Sequence, residues 1–213
     1  MNNYLICIPA FKRPKSLKRL LNTLENAYYE SNDIPLVISL EFGASESVIA
    51  VAEEFNNKRF KKEIIYRNIK FGLRKHIIAC GSLVNDFGNV ILLEDDLIVD
   101  RYFYKYAIEC STFYKEDKTI AGISLYGQEF NEINGFPFKP LRNGYSTFKL
   151  QFPSSSGQCW SKDQFNQFLK WYQDKNDDYI NKILFFPQFI KNWKNSWKKY
   201  YAAYLFEKNK FFI

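Results

Sequence analysis

Apolar and polar residues alternate in blocks along the first 125 residues, and the blocks predict strands and helices in turn. Short apolar runs at residues 4–8, 34–40, 63–66, 90–93 and 119–125 are typical of buried strands. Each of the first four is followed by a segment whose apolar residues recur at helical spacing. Strands that alternate with helices through short connections predict a mostly parallel sheet with helices on both faces.

The helical segments have apolar positions that define their predicted buried faces. Pro14 is suited to the first turn of the first helix. The predicted faces are Leu17, Leu20, Leu21, Leu24 and Tyr28; Val48, Val51, Ala52 and Phe55; Leu73, Ile77, Cys80 and Val84; and Phe103, Ala107, Cys110 and Tyr114.

Regular periodicity ends after residue 125. Residues 126–158 mix Gly, Pro, Asn and Phe, which predicts loops with a hairpin. Ser161 and Gln164 form a predicted capping box before another amphipathic helix. We therefore divide the chain into an α/β half, residues 1–125, and loops with basic aromatic helices, residues 126–213, of the same domain.

The last 32 residues combine seven lysines and one glutamate with many aromatic residues. Such a segment can lie on an anionic membrane or stack on single-stranded nucleic acid. Its rings can also pack into the core while the lysines extend into solvent. The chain ends at Lys210-Phe211-Phe212-Ile213, which reads as the start of a strand, so we expect the domain to be shortened at this end.

Three consecutive carboxylates follow the apolar run at residues 90–93. Glu94, Asp95 and Asp96 would lie where a buried strand ends, and ligands of open α/β sheets bind at that edge. Adjacent anions repel one another unless a cation offsets them. The triplet therefore indicates either a solvated acidic turn before a helix or a site for a divalent metal that carries phosphate oxygens.

Composition and charge narrow the class of protein. The 213 residues are 46% hydrophobic and 25% charged, as in globular proteins, and no apolar run reaches eighteen residues. The four cysteines are far apart, which predicts reduced, buried thiols. The net charge of +7 leaves nucleotides, phosphorylated lipids, membranes and nucleic acids open as partners. Neither a signal peptide nor a membrane span is indicated, so we expect a cytoplasmic protein.

Three short motifs, in this order, resemble a known family. They are Ile-Pro-Ala-Phe-Lys-Arg-Pro at residues 8–14, Gly-Leu-Arg-Lys at 72–75 and Leu-Glu-Asp-Asp-Leu at 93–97. The sequence resembles GT-A glycosyltransferases, namely bacterial family-2-like enzymes and the N-acetylglucosaminyltransferase I group. The resemblance implies a GT-A-like α/β fold and metal-dependent, inverting transfer of a hexose or N-acetylhexosamine.

The resemblance also implies partners and a location. The donor would be a UDP-linked nucleotide sugar, and the acceptor a saccharide or lipid-linked saccharide of surface polysaccharide assembly. The protein would then be cytoplasmic, with peripheral contact at the inner face of the membrane, and we expect no nucleic-acid partner.

The same resemblance assigns roles to individual residues. Asp96 would bind Mn2+ or Mg2+, while Glu94 and Asp95 would face ribose or sugar hydroxyls. The donor would also be contacted by Pro9, Ala10, Phe11, Arg13 and Arg74, and by Glu41, which stands where the family usually has Asp. The two arginines can equally be ordinary residues at helix starts.

The catalytic base is implied to lie in the second half of the chain. Asp163, Asp177 and Asp178 are the candidates, of which the Asp177-Asp178 pair fits the resemblance better; each can also be a solvated acid at a helix end. His76, the single histidine, is more typical of a packed residue than of a base.

Two other functions remain open. A sugar-phosphate nucleotidyltransferase shares the sheet and the carboxylates, but it should carry a glycine-rich loop after the first strand, and residues 9–13 contain no glycine. A non-catalytic module would bind nucleic acid or a membrane through the basic C-terminal segment.

Overall fold

The computed structural model describes residues 3–131, 134–141, 143–184 and 186–213. The strands are β1 (Asn3–Ala10), β2 (Ile34–Leu40), β3 (Phe60–Tyr66), β4 (Gly88–Leu92), β5 (Ile120–Ser124), β6 (Gln158–Ser161) and β7 (Phe211–Phe212). The helices are α1 (Pro14–Asn26), α2 (Glu46–Glu54), α3 (Gly72–Gly81), α4 (Val84–Phe87), α5 (Phe103–Phe113), α6 (Lys162–Tyr172), α7 (Asp177–Asn181), α8 (Gln188–Lys191) and α9 (Lys198–Glu207).

The strands form one mixed sheet in the order β3-β2-β1-β4-β6-β5-β7. β1 pairs in parallel with both β2 and β4, and β2 pairs in parallel with β3. The predicted α/β fold with a mostly parallel sheet is therefore confirmed. We call the edge at which the parallel strands end the carboxyl edge, and the opposite one the amino edge.

β6 is antiparallel to β4 and β5, because the chain returns to the sheet at the edge where it left. Leu125 follows β5 at the carboxyl edge, and its N–H donates to the carbonyl of Gly157, which precedes β6 (3.0 Å). Gly157 has a φ of 90°, a left-handed conformation that favours glycine. The irregular stretch between these residues, with a bridge between Phe130 and Pro137, thus begins and ends at the carboxyl edge.

The core lies on both faces of the sheet. Along β1, Ile6 and Ile8 pack with α1, α2 and α5, while Leu5 and Cys7 pack with α3, α6 and α9. Burial on both faces explains why the strands are continuous apolar runs instead of alternating patterns. The four cysteines are buried thiols, and both bonds of the predicted Ser161–Gln164 capping box are present.

Two predicted buried positions are wrong. Tyr28 lies beyond the end of α1 and is 39% exposed, because the helix ends at Asn26, two residues before it. Leu73 is 51% exposed in the first turn of α3, where it faces a cavity instead of the sheet. Val84 is buried as predicted, but in the separate short helix α4.

The aromatic C-terminal segment is largely core. Trp197, Tyr200, Tyr201 and Tyr204 are buried against Trp160 and Phe168, which favours the packing interpretation of this segment. The expectation that its lysines reach solvent fails at Lys198 and Lys199, which are also buried. Within the described ranges, no helix combines the length and apolar content needed to cross a bilayer.

Close packing around β5 gives a test of the fold. A Cβ at Gly122 would lie 2.6 Å from the ring of Phe212 and 2.9 Å from that of Trp160, both of which are buried. We expect Gly122→Ala to lower the free energy of unfolding by about 1–3 kcal/mol in urea denaturation, because a packed core resists added volume. Gly127→Ala is the control, since a Cβ there meets nothing within 4 Å. Equal stability of the two variants would contradict this packing.

Candidate functional site

A cavity of about 400 Å3 opens at the carboxyl edge, between the ends of β1, β2 and β4 and the first turn of α3. Seven of the eight residues predicted to contact a donor line it: Pro9, Ala10, Phe11, Arg13, Glu41, Glu94 and Asp95. Lys70 also lines it, although no sequence argument singled out this residue. A larger cavity of about 720 Å3 lies at the amino edge, beside Tyr4 and Ile34, and contains none of the predicted site residues.

Arg13 joins the acidic triplet to the loop after β1. Its guanidinium forms ion pairs with Asp95 and Asp96, and Arg19 donates to the main-chain carbonyl of Asp96 (2.9 Å). Asp95 is buried, whereas the side chain of Asp96 is 43% exposed at the rim. The next helix, α5, begins only at Phe103, so Asp96 does not cap a helix.

Burial and mutual repulsion raise the pKa of two of these carboxyls. Burial, the largest cause, and repulsion by Asp96 and Asp95 together raise the pKa of Glu94 to about 7, against the opposing effects of Arg13 and Lys198. Burial also raises the pKa of Asp95, against the effect of the Arg13 ion pair. A carboxyl that titrates near neutral pH beside an ion-paired one is typical of a functional site.

The residues at the rim fit a divalent metal. Within the described part of the chain, no group of three or more His, Cys, Asp or Glu side chains is arranged around a common point. Mg2+ and Mn2+ bound with a nucleotide need only one or two carboxylates, since phosphate and water complete the shell. Asp96 supplies such oxygen atoms at an exposed position, with Asp95 directly beneath it.

Glu41 connects the two loops that form the other side of the cavity. Oε1 accepts hydrogen bonds from the N–H groups of Phe42 and Phe71 (both 2.9 Å), and Oε2 accepts one from Gly72 (2.8 Å). Gly72 has a φ of 69°, so the position favours glycine. The carboxylate therefore fixes the shape of the cavity wall.

His76 belongs to a buried polar chain behind Glu41. Arg67 Nε donates to Ser39 Oγ (3.1 Å), and Ser39 Oγ lies 2.8 Å from His76 Nε2. The other ring nitrogen, Nδ1, lies 3.8 Å from Glu41 Oε2. His76 is thus a packed residue, although it also lines the cavity.

Arg74 and Asp177 contact each other. Arg74 Nη2 and Lys199 Nζ lie 3.0 and 3.1 Å from Asp177 Oδ1, and the Tyr200 hydroxyl donates to the same oxygen (2.6 Å). The Tyr200 hydrogen bond, Lys199 and Arg74 together lower the pKa of Asp177. This cluster ties α3 to α7 and α9 beside the cavity.

The other two candidate bases lie in different surroundings. Asp178 is exposed in the same first turn of α7 as Asp177. Asp163 lies in the first turn of α6 beside Gly88, at the amino edge and therefore away from the cavity.

The raised pKa of Glu94 predicts a pH dependence of stability. A carboxyl whose pKa is higher in the folded than in the unfolded state stabilises the fold while it is protonated. This contribution to the free energy of unfolding is lost as the pH rises from about 4.5 to about 7. We expect Glu94→Gln to remove that loss. The free energy of unfolding of the variant, relative to that of the wild type, should therefore rise by about 2–3 kcal/mol between pH 5 and pH 8. Urea denaturation in metal-free buffer at each pH measures the free energy of unfolding. An equal gain in the exposed-site control Glu116→Gln would count against the assignment.

No family model and no curated protein sequence matches the chain. Solved structures do. The mannosyltransferase PcManGT from Pyrobaculum calidifontis, in complex with GDP-Man and Mn2+, superposes with a TM-score of 0.54 at 9% identity over 79% of this chain and 46% of its own. S. aureus TarS 1-349 in complex with UDP gives a TM-score of 0.58 at 13% identity over 99% of this chain and 57% of its own.

A third structure, TarS 1-349 in complex with UDP-GlcNAc, gives a TM-score of 0.53 at 11% identity over 80% of this chain and 47% of its own. The chain therefore spans about half the length of the structures that it resembles. These neighbours are GT-A-like glycosyltransferases. At such low identity they establish the fold alone, and the fold of this chain is the GT-A type that its motifs predicted.

Proposed function

We propose that the protein is a metal-dependent glycosyltransferase that moves a sugar from a nucleoside diphosphate to a saccharide or lipid-linked saccharide. The observation that carries this proposal is the convergence of seven predicted donor-contacting residues on one cavity, at the edge where α/β sheets bind ligands. The GT-A fold supports the same class of reaction.

The donor diphosphate would bind at the rim formed by Arg13 and Asp96. A divalent metal held by Asp96 would neutralise the charge that develops on the leaving nucleoside diphosphate. Arg13 lies beside the same carboxylates, so its guanidinium is placed to bind a phosphate oxygen when Asp96 binds metal. Glu41 would act on the nucleotide indirectly, because its oxygens already hold three N–H groups of the cavity wall.

The acceptor hydroxyl needs a base, and we assign this role to Asp178. Asp177 is stabilised as an anion by Tyr200, Lys199 and Arg74, which makes it a weak base. Asp178 is exposed one residue further along α7. Direct displacement with this base would invert the anomeric configuration.

The neighbours suggest the donor class. TarS was solved with UDP and with UDP-GlcNAc, and PcManGT with GDP-Man and Mn2+. For this chain we propose a UDP-linked hexose or N-acetylhexosamine with Mn2+ or Mg2+. The pathway would be surface polysaccharide assembly, in the cytoplasm and with peripheral contact at the inner face of the membrane.

The alternative of a nucleic-acid-binding module has little support. Stacking on bases needs exposed rings, whereas Trp197, Tyr200, Tyr201 and Tyr204 are buried.

Nucleotide binding gives a direct test. We expect UDP with Mn2+ to raise the melting temperature by about 5 °C at saturating concentration, since a ligand at 100 times its Kd contributes about 2.7 kcal/mol. Asp96→Asn should abolish most of this gain, because it removes the exposed carboxylate that would bind the metal. Asp86→Asn, at an exposed position of α4, should retain it. A wild type whose melting temperature does not change with any nucleoside diphosphate would contradict the proposal.

The base assignment is tested by separating transfer from binding. Asp178→Asn should lower the rate of sugar transfer by about 10²- to 10⁴-fold, the usual contribution of a general base, and leave the Kd for UDP within about twofold. Asp174→Asn, an exposed acid before α7, is the matched control. Normal transfer by Asp178→Asn would shift the role to another residue.

A further inference from the structure

Gln158 is a buried amide that has no hydrogen-bond partner among the described residues. Its side chain is fully buried, and neither its oxygen nor its nitrogen has a partner among the described residues. Each buried polar group left unpaired costs about 1–3 kcal/mol. Such a cost at the ligand-binding edge of a sheet is typical of a group that has a function.

The fold places this amide beside the start of α9. Gln158 is the first residue of β6 and lies between Leu92 of β4 and Ser124 of β5, at the carboxyl edge. Side chains alternate along a strand, so Gln158 faces the same side as Trp160, which packs edge-on against Trp197 at 5.9 Å. Gln158 therefore points to the layer in which α9 begins.

Lys198 begins α9 at the same corner. It is 6% exposed at a helix N-terminus, where a cation is disfavoured by the helix dipole. Its Nζ lies 4.7 Å from the ring centroid of Phe152 and 5.9 Å from that of Trp193. It is also close enough to Glu94 to lower the pKa of that carboxyl, so this corner adjoins the proposed donor cavity.

These groups match the chemistry of a sugar. An amide donates and accepts, an ammonium group donates, and a ring hydroxyl does both, so Gln158 and Lys198 together can pair two hydroxyls. Phe152 and Trp193 are partly exposed and offer flat apolar walls. Aromatic walls with a few fixed polar groups are the usual composition of small-molecule sites.

We propose that Gln158, Lys198, Phe152 and Trp193 form a subsite that binds one sugar ring, with Gln158 pairing its hydroxyls. The inference rests on the proposed transferase function and extends it to the residues that select the sugar. The ring belongs either to the donor or to the acceptor. Gln158 is fully buried, so a ligand would reach its amide only after neighbouring side chains move.

The test compares Gln158→Leu and Lys198→Met with matched controls. Gln167→Leu on α6, at the amino edge, and the exposed Lys208→Met, just beyond the other end of α9, are the controls. Three quantities are measured with Mn2+: the Kd for UDP, the hydrolysis of UDP-N-acetylglucosamine and GDP-mannose without acceptor, and transfer to a panel of p-nitrophenyl pyranosides. Thermal unfolding checks the fold, and Gln158→Leu should be at least as stable as the wild type because it removes the unpaired amide.

We expect the Kd for UDP to stay within about twofold in Gln158→Leu and a sugar-dependent step to fall at least tenfold. A tenfold loss corresponds to about 1.4 kcal/mol, the size of one hydrogen bond. Slower hydrolysis of the nucleotide sugar by Gln158→Leu than by the wild type assigns the subsite to the donor. Unchanged hydrolysis with a raised KM for the pyranoside assigns it to the acceptor.

Unchanged hydrolysis and transfer in a folded Gln158→Leu would overturn the subsite. A crystal structure in which a buried water pairs both amide atoms, together with normal kinetics of the variant, would also overturn it. Failure of the transferase function looks different: the wild type itself would bind no nucleotide. In that case pyranoside binding to the wild type and to Gln158→Leu is measured by tryptophan fluorescence. Equal binding to the two proteins would overturn the proposal.

Discussion

The charge at the end of β4 is the constraint on which the rest of the carboxyl edge depends. A strand that is buried on both faces ends in Glu94, Asp95 and Asp96, three anions that repel one another in poorly solvated surroundings. Arg13 offsets two of them by ion pairs, and the third keeps its proton more readily. The loop after β1 is thereby tied to the end of β4, which forms one side of the cavity. Glu41 ties the loops after β2 and β3 together by accepting hydrogen bonds from main-chain N–H groups, and so forms the other side.

The two sides are built from different interactions, and this difference bears on function. The Glu41 side is made of hydrogen bonds to main-chain N–H groups, so it is fixed by the backbone whatever ligand is present. The ion pair of Arg13 with Asp96 at the rim joins two half-exposed groups, and such a pair is weak in water. A divalent metal with a diphosphate would give each of these groups a stronger partner, the metal for the carboxylate and a phosphate for the guanidinium. The cavity thus combines a fixed wall with a rim whose pairing can be exchanged.

Much of the fold was predictable because burial on both faces of a sheet leaves a clear pattern. The strands read as continuous apolar runs and helix α1 as a regular stripe that begins at Pro14. Errors arose where a local pattern depends on distant chain: Tyr28 continues the helical spacing beyond the residue at which α1 ends, and Leu73 faces a cavity. The direction of β6 follows from where residues 126–157 return to the sheet, which no local signal specifies. Lys198 and Lys199 are buried because of what packs around them, and a lysine-rich sequence by itself suggests the opposite.

In the candidate site, too, some features follow from the local sequence and others depend on distant parts of the chain. Residues that follow strands directly, such as Arg13, Glu41 and Glu94, were predictable because parallel strands end at one edge and bring their loops together. The pairing of Arg74 with Asp177 joins positions 103 residues apart and has no local signature. Gln158 is a stronger case, because a glutamine at the start of a strand looks unremarkable until its burial and lack of partners are known. Glu94 and Gln158 each weaken the fold in a different way, by a buried acid and by an amide unpaired among the described residues. Since both lie at the carboxyl edge, the proposed ligand would explain them more simply than two separate defects of packing.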